Sequence, residues 1–238
     1  MGERCRAVPD RVPDRAIDRA IDTVLFDLDG TLVDSERSII ATLRVTFAEL
    51  GLPPLTDDVA RTLIGPPFAR TIPPLIGADR TPEMIARYRE RYATSCLDVE
   101  VYPGVDALLA QLRATGVTVA VATSKPEPAA RRIIEHLGLT DAFAAIAGDD
   151  PGEFRGDKAL VVADALRRLG GLAPDRVLMV GDTRHDMVGA LANGVAAVGA
   201  GWGYGPVAEL IAAGAIEVFA TADELRAALP RLGVGGAR

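Results

Sequence analysis

The sequence predicts an α/β protein in which a parallel β-sheet carries helices on both faces and an all-helical segment is inserted after the first strand. The first observation is a short apolar run of strand type, Val24-Leu25-Phe26, which leads directly into two carboxylates and a glycine. The second is an alternation of strand and helix patterns from residue 102 onwards, which is typical of a parallel sheet. The third is a stretch over about residues 38–100 that shows only helical periodicity.

The composition indicates a globular protein and excludes several functional classes. Of the 238 residues, 49% are apolar and 25% are charged, as in soluble folded chains. The net charge of −7 argues against a protein that binds nucleic acid polymers, which would present a basic surface. No run of 18 apolar residues occurs, so we expect no membrane span and no membrane partner. The two cysteines, Cys5 and Cys96, cannot form a disulfide framework, and we therefore expect a cytoplasmic protein.

The N-terminal segment, residues 1–21, contains a four-residue repeat that includes Val8-Pro-Asp-Arg and Val12-Pro-Asp-Arg. Its prolines oppose a continuous helix, its charges balance, and it lacks the apolar core of a signal peptide. We expect a mobile extension here. It is followed by a core domain formed by residues 22–37 and 102–238, and by a helical cap domain formed by residues 38–101.

The first strand is followed directly by Asp27 and Asp29, with Gly30 behind them. The carboxyl ends of parallel strands are where open α/β sheets bind their ligands. Two carboxylates turned toward one point repel each other unless a cation lies between them. Gly30 permits a sharp bend and leaves room for a bulky ligand. A calcium loop of EF-hand type is excluded, because the positions that need glycine and glutamate hold Leu32 and Ser38.

The inserted segment has helix start signals at three places. Asp34 or Ser35 can cap a first helix with a regular apolar face, and Thr56 can cap a short second one. Thr81 followed by Pro82 opens a third. Because no strand pattern separates them, we expect the whole insert to be helical and to cover the ends of the sheet strands.

The remainder of the chain alternates between strands and helices. We expect strands at about 117–122, 143–147, 177–180 and 196–199, and helices at about 104–114, 126–137, 158–169 and 183–192. Such an order requires right-handed crossovers and brings the carboxyl ends of the strands to one edge of the sheet.

Three of the expected strands end in polar residues that can converge at this edge: Asp27 with Asp29, then Thr123, then Asp182 with Asp186. Asp182 can reach a metal ion from its loop, and Asp186, one helical turn further on, can hold a metal-bound water. Alternatively, Asp186 complements the dipole of the helix that it opens. Carboxylates with open positions between them suit Mg²⁺.

Two lysines are candidates for a phosphate site beside Thr123. The Thr123 hydroxyl and backbone N–H suit a phosphate oxygen, although the same groups can cap a helix. Lys158 opens a helix, where a cation is unfavourable next to the dipole. Its position is better explained if it neutralises a nucleophile and a phosphoryl group. Lys125 is the alternative for this role.

The alternating glycines from Gly199 to Gly205 do not form a nucleotide-binding loop. Their spacing is G-x-G-x-G-x-G, whereas the dinucleotide fingerprint G-x-G-x-x-G would need glycine at Tyr204. We assign Trp202 and Tyr204, which alternate with these glycines, to packing.

Taken in order, Asp27-x-Asp29-Gly30-Thr31, Thr123, Lys158 and Gly181-Asp182-x-x-x-Asp186 resemble the four motifs of the haloacid dehalogenase (HAD) superfamily. The resemblance covers about residues 23–229 and implies a Rossmann-like core with an inserted type-1 cap. Within the superfamily, the segments 63–67 and 201–205 are similar to those of the phosphoglycolate phosphatase and 5′-nucleotidase-like branch. Protein tyrosine kinases of this fold from mycobacteria are also similar, including over residues 122–125.

The resemblance implies a Mg²⁺-dependent phosphatase that hydrolyses a small phosphate monoester through an aspartyl-phosphate. Asp27 would be the nucleophile, and Asp29 would protonate the leaving oxygen and then activate water. Mg²⁺ would be held by Asp27, the Asp29 backbone carbonyl and Asp182, with Asp186 nearby. The residues expected to bind phosphate are Asp27, Gly30, Thr123, Ser124 and Lys158. The acid at position 29 favours phosphoryl transfer over dehalogenation, because a halide leaves without a proton.

The cap is expected to contact the leaving group through the turn Gly65-Pro66-Pro67, with Phe68 offering an apolar face and Arg70 a cation. The alternative is that this turn only connects two cap helices. Two other functions stay open at this point, a protein tyrosine kinase that uses the same aspartates and a non-catalytic binding module that retains the fold.

Overall fold

The computed structural model describes residues 20–66, 68–150 and 157–235. Residues 1–19, which make up most of the expected N-terminal extension, lie outside the described residues, as does Pro67 of the expected cap turn. Within the described ranges, every helix is too short or too polar to cross a lipid bilayer.

Eight strands occur in the described residues, and most of them are short. In chain order they are β1 (Thr23–Phe26), β2 (Val33–Asp34), β3 (Glu100–Val101), β4 (Thr118–Pro126), β5 (Ala145–Asp149), β6 (Val177–Gly181), β7 (Ala196–Ala200) and β8 (Val218–Phe219). β4 extends past the expected end at residue 122, so Thr123 and Lys125 belong to the strand itself.

The α-helices of the same part of the chain fall into two groups. Helices α1 (Glu36–Glu49), α2 (Asp57–Thr62), α3 (Phe68–Thr71), α4 (Pro73–Ile76) and α5 (Thr81–Ser95) form the insert. Helices α6 (Val105–Ala114), α7 (Glu127–His136), α8 (Lys158–Arg168), α9 (Arg184–Ala192), α10 (Val207–Ala212) and α11 (Ala222–Ala228) follow it. Thr56 caps α2 as expected, because its side chain accepts a hydrogen bond from the Val59 N–H.

Six strands form one sheet in the order β5-β4-β1-β6-β7-β8, and each neighbouring pair is parallel. After β1 the chain builds β4 and β5 on one side, and it then crosses to build β6, β7 and β8 on the other. The strand order therefore reverses beside β1, and such a reversal opens a crevice at the carboxyl ends of the strands. The doubly wound α/β core predicted from the sequence is confirmed.

Alternate residues of β1 point to the two faces of the sheet, as the period of a strand requires. Val24 and Phe26 belong to one buried apolar cluster, and Leu25 belongs to the other. All three are at most 1% exposed, so β1 is covered by helices on both faces. This burial explains why its sequence is continuously apolar rather than alternating.

The boundary between the core and the insert differs from the sequence expectation. Residues 38–101 were expected to be helical throughout, but Glu100 and Val101 form β3, which pairs antiparallel with β2. The insert thus leaves and rejoins the core through a small two-stranded sheet. Two-residue strands lack the length for a detectable alternation, and their pairing joins segments far apart in the chain.

The insert packs as a helical cap over the strand ends. Helices α1 and α5 pack against each other and bury the apolar side chains Leu43, Phe47, Met84 and Cys96. Phe68 of α3 meets Tyr88 of α5 edge to face with ring centroids 4.7 Å apart. These contacts hold α3 beside α5 and place the cap turn over the sheet edge.

Candidate active site

The three strands that end in the expected polar residues are neighbours in the sheet, since β1 lies between β4 and β6. Asp27 follows β1, Thr123 lies in β4, and Asp182 follows β6. The Asp27 N–H donates to the Val180 carbonyl at 2.9 Å, which extends the pairing of β1 with β6 up to the first carboxylate. The convergence that the sequence predicted is thus produced by adjacent strands.

Asp27 is held by donors from three elements. Its Oδ1 accepts from the Leu28 N–H at 2.7 Å and lies 3.0 Å from the Nζ of Lys158. The Thr123 side chain is a further hydrogen-bond partner of this carboxylate. The Lys158 Nζ also lies 2.6 Å from Asp186 Oδ1. Lys158 is therefore the lysine beside the first aspartate, as the sequence argument favoured.

A cluster of three buried carboxylates forms around Asp27. One oxygen each of Asp27, Asp182 and Asp186 lies within 4.8 Å of the others. Asp182 is fixed by the Tyr204 N–H, which donates to its Oδ2 at 2.9 Å, and by the Thr31 hydroxyl. Asp186 accepts from the Thr183 N–H and hydroxyl at 2.9 and 2.8 Å, which forms a capping box for α9. Asp186 thus serves the helix end and the cluster together.

The charge balance of this cluster fits a divalent cation. Three carboxylates face one ammonium group, that of Lys158, which leaves two net negative charges in a buried region when all four groups are ionised. The donors are all oxygens, which are the ligands that Mg²⁺ prefers. Asp27, Asp182 and Asp186 are the described residues whose carboxylate oxygens lie close enough together to hold such an ion.

Burial and mutual repulsion raise the pKa values of two carboxylates in the cluster. Burial, opposed by the charge of Lys158 and reinforced by that of Asp186, raises the pKa of Asp27 to about 6. Burial, together with the charges of Asp186 and Asp27, raises the pKa of Asp182 well above its ordinary value. Burial alone would lower the pKa of Lys158, but the two neighbouring carboxylates raise it above its ordinary range. A cation in the cluster would offset the repulsion and favour the ionised carboxylates.

The second aspartate, Asp29, is held by Lys125. The Nζ of Lys125 donates to both carboxylate oxygens of Asp29, at 2.8 and 2.7 Å, and to the Tyr92 hydroxyl of the cap at 2.9 Å. The Ser35 hydroxyl donates to Asp29 Oδ1 at 2.5 Å. Ser35 stands at the N-terminus of α1 as expected, but its side chain fixes Asp29 instead of capping the helix. The two lysines therefore have separate positions, and each one contacts a different aspartate.

The glycine-rich segment 201–205 packs directly against the two loops that carry the aspartates. A Cβ on Gly203 would lie 2.2 Å from the Gly30 carbonyl oxygen, and a Cβ on Gly205 would lie 2.0 Å from the Asp182 carbonyl oxygen. Gly30 itself has φ +78° and approaches Asp182 equally closely. The glycines are thus required for close backbone approach. The sequence argument excluded a nucleotide-binding loop here and noted a family resemblance over 201–205, but it did not find this role.

The aromatic residues of this segment also contact the first loop. The Trp202 indole N–H donates to the Thr31 carbonyl at 3.0 Å, and the Tyr204 hydroxyl accepts from the Ser35 N–H at 2.8 Å. Both rings pack against the main apolar cluster. They contribute to packing around the site, as the sequence argument assigned.

A cavity of about 620 Å³ separates these aspartates from the cap. Its lining includes Asp27, Asp29, Thr123 and Ser124 from the core. From the expected cap turn it includes Gly65, Pro66 and Phe68. Gly65 also approaches the core, because a Cβ on it would lie 3.1 Å from the Thr183 methyl group. The turn therefore reaches the sheet edge.

The expected cation of the cap turn, Arg70, has a different position. It is exposed on α3 and is not among the described residues that line the cavity. Its charge instead acts on His185, whose pKa is lowered by burial and by Arg184 and Arg70. The cavity is lined by two other arginines, Arg89 of α5 and Arg132 of α7. The sequence offered no signal for them beyond their helical positions.

The chain matches a protein family model and several characterised proteins. The model is described as haloacid dehalogenase-like hydrolase and matches residues 24–200. The tyrosine-protein kinase PtkA of Mycobacterium tuberculosis is 43% identical over 210 residues, which cover 87% of this chain and 72% of the kinase. A 5′-nucleotidase of Pseudomonas aeruginosa is 38% identical over 192 residues, which cover 79% and 86% of the two chains.

A phosphoglycolate phosphatase and a solved structure extend this set. The phosphatase, from Rhodospirillum rubrum, is 36% identical over 210 residues, which cover 82% of this chain and 86% of the relative. The structure, described as "a predicted phosphatase from Clostridium acetobutylicum", has a TM-score of 0.83 at 30% identity and covers 89% of this chain and 99% of that one. These similarities agree with the resemblance found in the motifs.

Proposed function

Because the chain belongs to the haloacid dehalogenase-like hydrolases and is a phosphatase of this family, we propose that it is Mg²⁺-dependent and hydrolyses a small organic phosphate monoester through an aspartyl-phosphate on Asp27. The candidate substrates are phosphoglycolate, nucleotides and sugar phosphates. The observation that carries the proposal is that Asp27 and Asp29 line the same cavity. Asp27 belongs to the cluster of three carboxylates, and Asp29 lies on the side that faces the cap.

In the first step, a carboxylate oxygen of Asp27 attacks phosphorus and the bond from phosphorus to the ester oxygen breaks. Lys158 and the Thr123 hydroxyl lie beside Asp27, and both stabilise the charge that moves onto the phosphoryl oxygens, Lys158 as a cation and Thr123 as a hydrogen-bond donor. Mg²⁺, when bound, supplies electrostatic stabilisation of the same charge. Asp29 enters this step in its protonated form and gives that proton to the departing oxygen, which leaves as an alcohol.

In the second step, Asp29, now ionised, takes a proton from a water molecule that attacks phosphorus. The acyl phosphate bond breaks, inorganic phosphate leaves and Asp27 is regenerated as a carboxylate. Lys125 and Ser35 hold Asp29 in one orientation for both proton transfers. The cap covers the cavity and limits the access of bulk water during the reaction.

The experiment that tests the proposal is a phosphate-release screen. Purified protein is incubated with phosphoglycolate, nucleoside monophosphates, sugar phosphates and p-nitrophenyl phosphate, with Mg²⁺ and with EDTA. We expect turnover of at least one ester with Mg²⁺ and none in EDTA. Full activity in EDTA would contradict the metal requirement, and no release from any ester with Mg²⁺ would contradict the phosphatase assignment.

A second candidate activity is protein tyrosine phosphorylation, which is favoured by the 43% identity to the protein named tyrosine-protein kinase PtkA. Such a kinase would use Asp27 and Asp29 in the same positions with ATP as the phosphoryl donor. Transfer of label from [γ-³²P]ATP to tyrosine in an added protein separates the two activities. We expect phosphate release from small esters to exceed this transfer.

The composition supports a free small molecule as the partner and the cytoplasm as the location. The net charge of −7 opposes binding to nucleic acid polymers. Cys96 is buried and unbonded, which fits a reducing compartment. A non-catalytic role is disfavoured, because each of the four motif positions carries the reactive residue type.

Lys125 provides a test of the acid–base role of Asp29. In Lys125→Met, Asp29 loses two hydrogen bonds, and we expect kcat/KM for an alkyl phosphate to fall by about 10- to 100-fold. With p-nitrophenyl phosphate the loss is expected to be much smaller, because that leaving group departs without a proton. Steady-state kinetics on both esters measure the difference, since kcat/KM reports the transfer of phosphoryl to Asp27.

Tyr92→Phe is the matched control for this prediction. It keeps the ring over the Lys125 ammonium and removes only one hydrogen bond to it. We expect a change of no more than about threefold on either ester. Equal losses on the alkyl and aryl esters in Lys125→Met would show that Lys125 acts on something other than the proton transfer.

A further inference from the structure

We propose that the phosphate monoester of this enzyme has a bulky, mainly apolar leaving group with a second anionic group, and that Arg89 and Arg132 bind this anion. The inference rests on the proposed phosphatase function and names the substrate class of the same site. It arises from the size of the cavity, the nature of its walls and the position of two cations that the catalytic steps do not use.

The size of the cavity is the first argument. At about 620 Å³, it lies within the range of pockets that enclose drug-sized ligands. A two-carbon acid phosphate would occupy a small part of this volume and leave the remainder to water. Binding energy from a larger leaving group would therefore be available to orient the phosphoryl group against Asp27.

The nature of the walls is the second argument. Between the aspartates and the cap, the lining is mainly apolar, and it includes Ile39, Leu63, Ile64, Phe68, Ile85 and Tyr88. A sugar phosphate would bring several hydroxyl groups against these side chains without partners for them, which is unfavourable. An aromatic or otherwise apolar leaving group would bury these apolar side chains without leaving any hydroxyl group unpaired.

The third argument is the pair of arginines. Arg89 and Ala93 lie one helical turn apart on α5, so they share a face of this helix. Arg132 of α7 donates from Nη1 to the Ala93 carbonyl, which brings its guanidinium to the same part of α5. Both arginines line the cavity. The two cations therefore approach the substrate space from the cap and from the core.

Both guanidinium groups retain hydrogen-bonding capacity. Arg89 makes no ion pair with any residue in the described ranges, and Arg132 uses one of five N–H donors on Ala93. The remaining carboxylate on the lining, Asp149, is buried and already has a partner. Two adjacent arginines with free donors match a carboxylate or a second phosphate on the leaving group.

The test compares esters that differ only in the distal charge. We propose 4-carboxyphenyl phosphate against 4-carbamoylphenyl phosphate, and the longer 4′-carboxybiphenyl-4-yl phosphate against its carbamoyl analogue. Each pair has the same shape, and the two pairs place the charge at different distances from phosphorus. We expect the acid to exceed the amide in kcat/KM by about tenfold in at least one pair, as for a charge-assisted contact.

The double variant Arg89→Ala/Arg132→Ala is expected to lower this acid-to-amide ratio to about one, because the distal anion loses both of its partners. Arg70→Ala is the matched control, because Arg70 is an exposed cap arginine outside the cavity lining. Its ratio is expected to equal that of the wild type. The acid-to-amide ratio of kcat/KM can be measured on wild-type protein alone, so the proposal is testable even if the double variant fails to fold.

The outcomes separate this inference from the function on which it rests. Wild-type protein that releases no phosphate from any ester with Mg²⁺ contradicts the proposed function. If the wild-type protein is active but both acid-to-amide ratios are near one, the inference is overturned and the proposed function is not. The inference is also overturned if phosphoglycolate has a higher kcat/KM than every aryl ester, or if the double variant retains the wild-type ratio.

Discussion

Replacing Asp27 with asparagine is expected to lower kcat/KM for any phosphate ester substrate by about 10³-fold or more. The amide keeps the shape of the side chain but cannot act as an anionic nucleophile. It also withdraws one of the three carboxylates of the cluster and leaves the Lys158 ammonium with Asp186 alone. Nucleophile and metal site are thus lost together, which is why this effect should be the largest in the protein.

The measurement is initial-rate phosphate release at saturating Mg²⁺, with thermal unfolding as a check that the variant is folded. Asp164→Asn is the matched control. Asp164 is as buried as Asp27, but it pairs with Arg167 and Arg168 of α8, outside the cavity lining. We expect this control to retain activity within about threefold. Activity of Asp27→Asn within tenfold of wild type would refute the nucleophile assignment.

Replacing Asp182 with asparagine is expected to have the second largest effect, a loss of about 10²-fold or more at millimolar Mg²⁺. Asp182 is fully buried, and the Tyr204 N–H and the Thr31 hydroxyl orient its carboxylate. The variant should need much more Mg²⁺ for half-maximal activity. Asp186→Asn should have a smaller effect, because Asp186 is already bound by Thr183 and Lys158 and would lie beside the ion rather than be its main ligand.

Thermal unfolding of Asp182→Asn gives a second test that does not depend on activity. Wild-type protein with Mg²⁺ at about 100 times its dissociation constant should unfold about 5 to 10 °C higher than in EDTA, from a stabilisation of about 2.7 kcal/mol. Asp182→Asn should lose most of this shift. In EDTA, however, it should be more stable than wild type, because one of three mutually repelling buried carboxylates has become neutral. A variant that keeps the full Mg²⁺ shift would exclude Asp182 as a ligand.

The pH dependence of the metal-free protein follows from Asp27. Its pKa is about 6 in the folded chain against an ordinary value of 3.8, so the folded state binds this proton more tightly than the unfolded chain does. The contribution of Asp27 to stability is therefore favourable below about pH 4, declines as the pH rises to about 6 and stays low above it. Unfolding in EDTA across this range measures the effect, and Mg²⁺ should reduce it.

The sequence by itself determined the α/β core and the positions of three candidate site aspartates at one edge of the sheet. Strand and helix periods are local properties of the chain, and β1 is readable because burial on both faces requires a continuous apolar run. Parallel strands then place the residues after β1 and β6 at one edge, whatever the remaining packing is. Asp27, Asp29 and Asp182 could therefore be located from their order alone.

The tertiary structure decided which side chains meet. Lys158 and Lys125 both follow from the sequence as candidate phosphate-site lysines, yet one contacts Asp27 and the other Asp29. Which lysine meets which aspartate depends on where the N-terminus of α8 and the last part of β4 lie relative to the loop that follows β1. The spacing of residues along the chain does not contain this information.

Contacts between distant elements also decided the roles of residues in the cap and in the glycine-rich segment, and the sequence does not reveal such contacts. Arg70 adjoins the turn that reaches the site, but the cavity is lined by Arg89 and Arg132, which come from a helix of the insert and a helix of the core. Gly203 is required because the Gly30 loop passes within contact distance, although 173 residues separate the two. Contacts of this kind are set by the docking of whole elements, which depends on packing across the entire core.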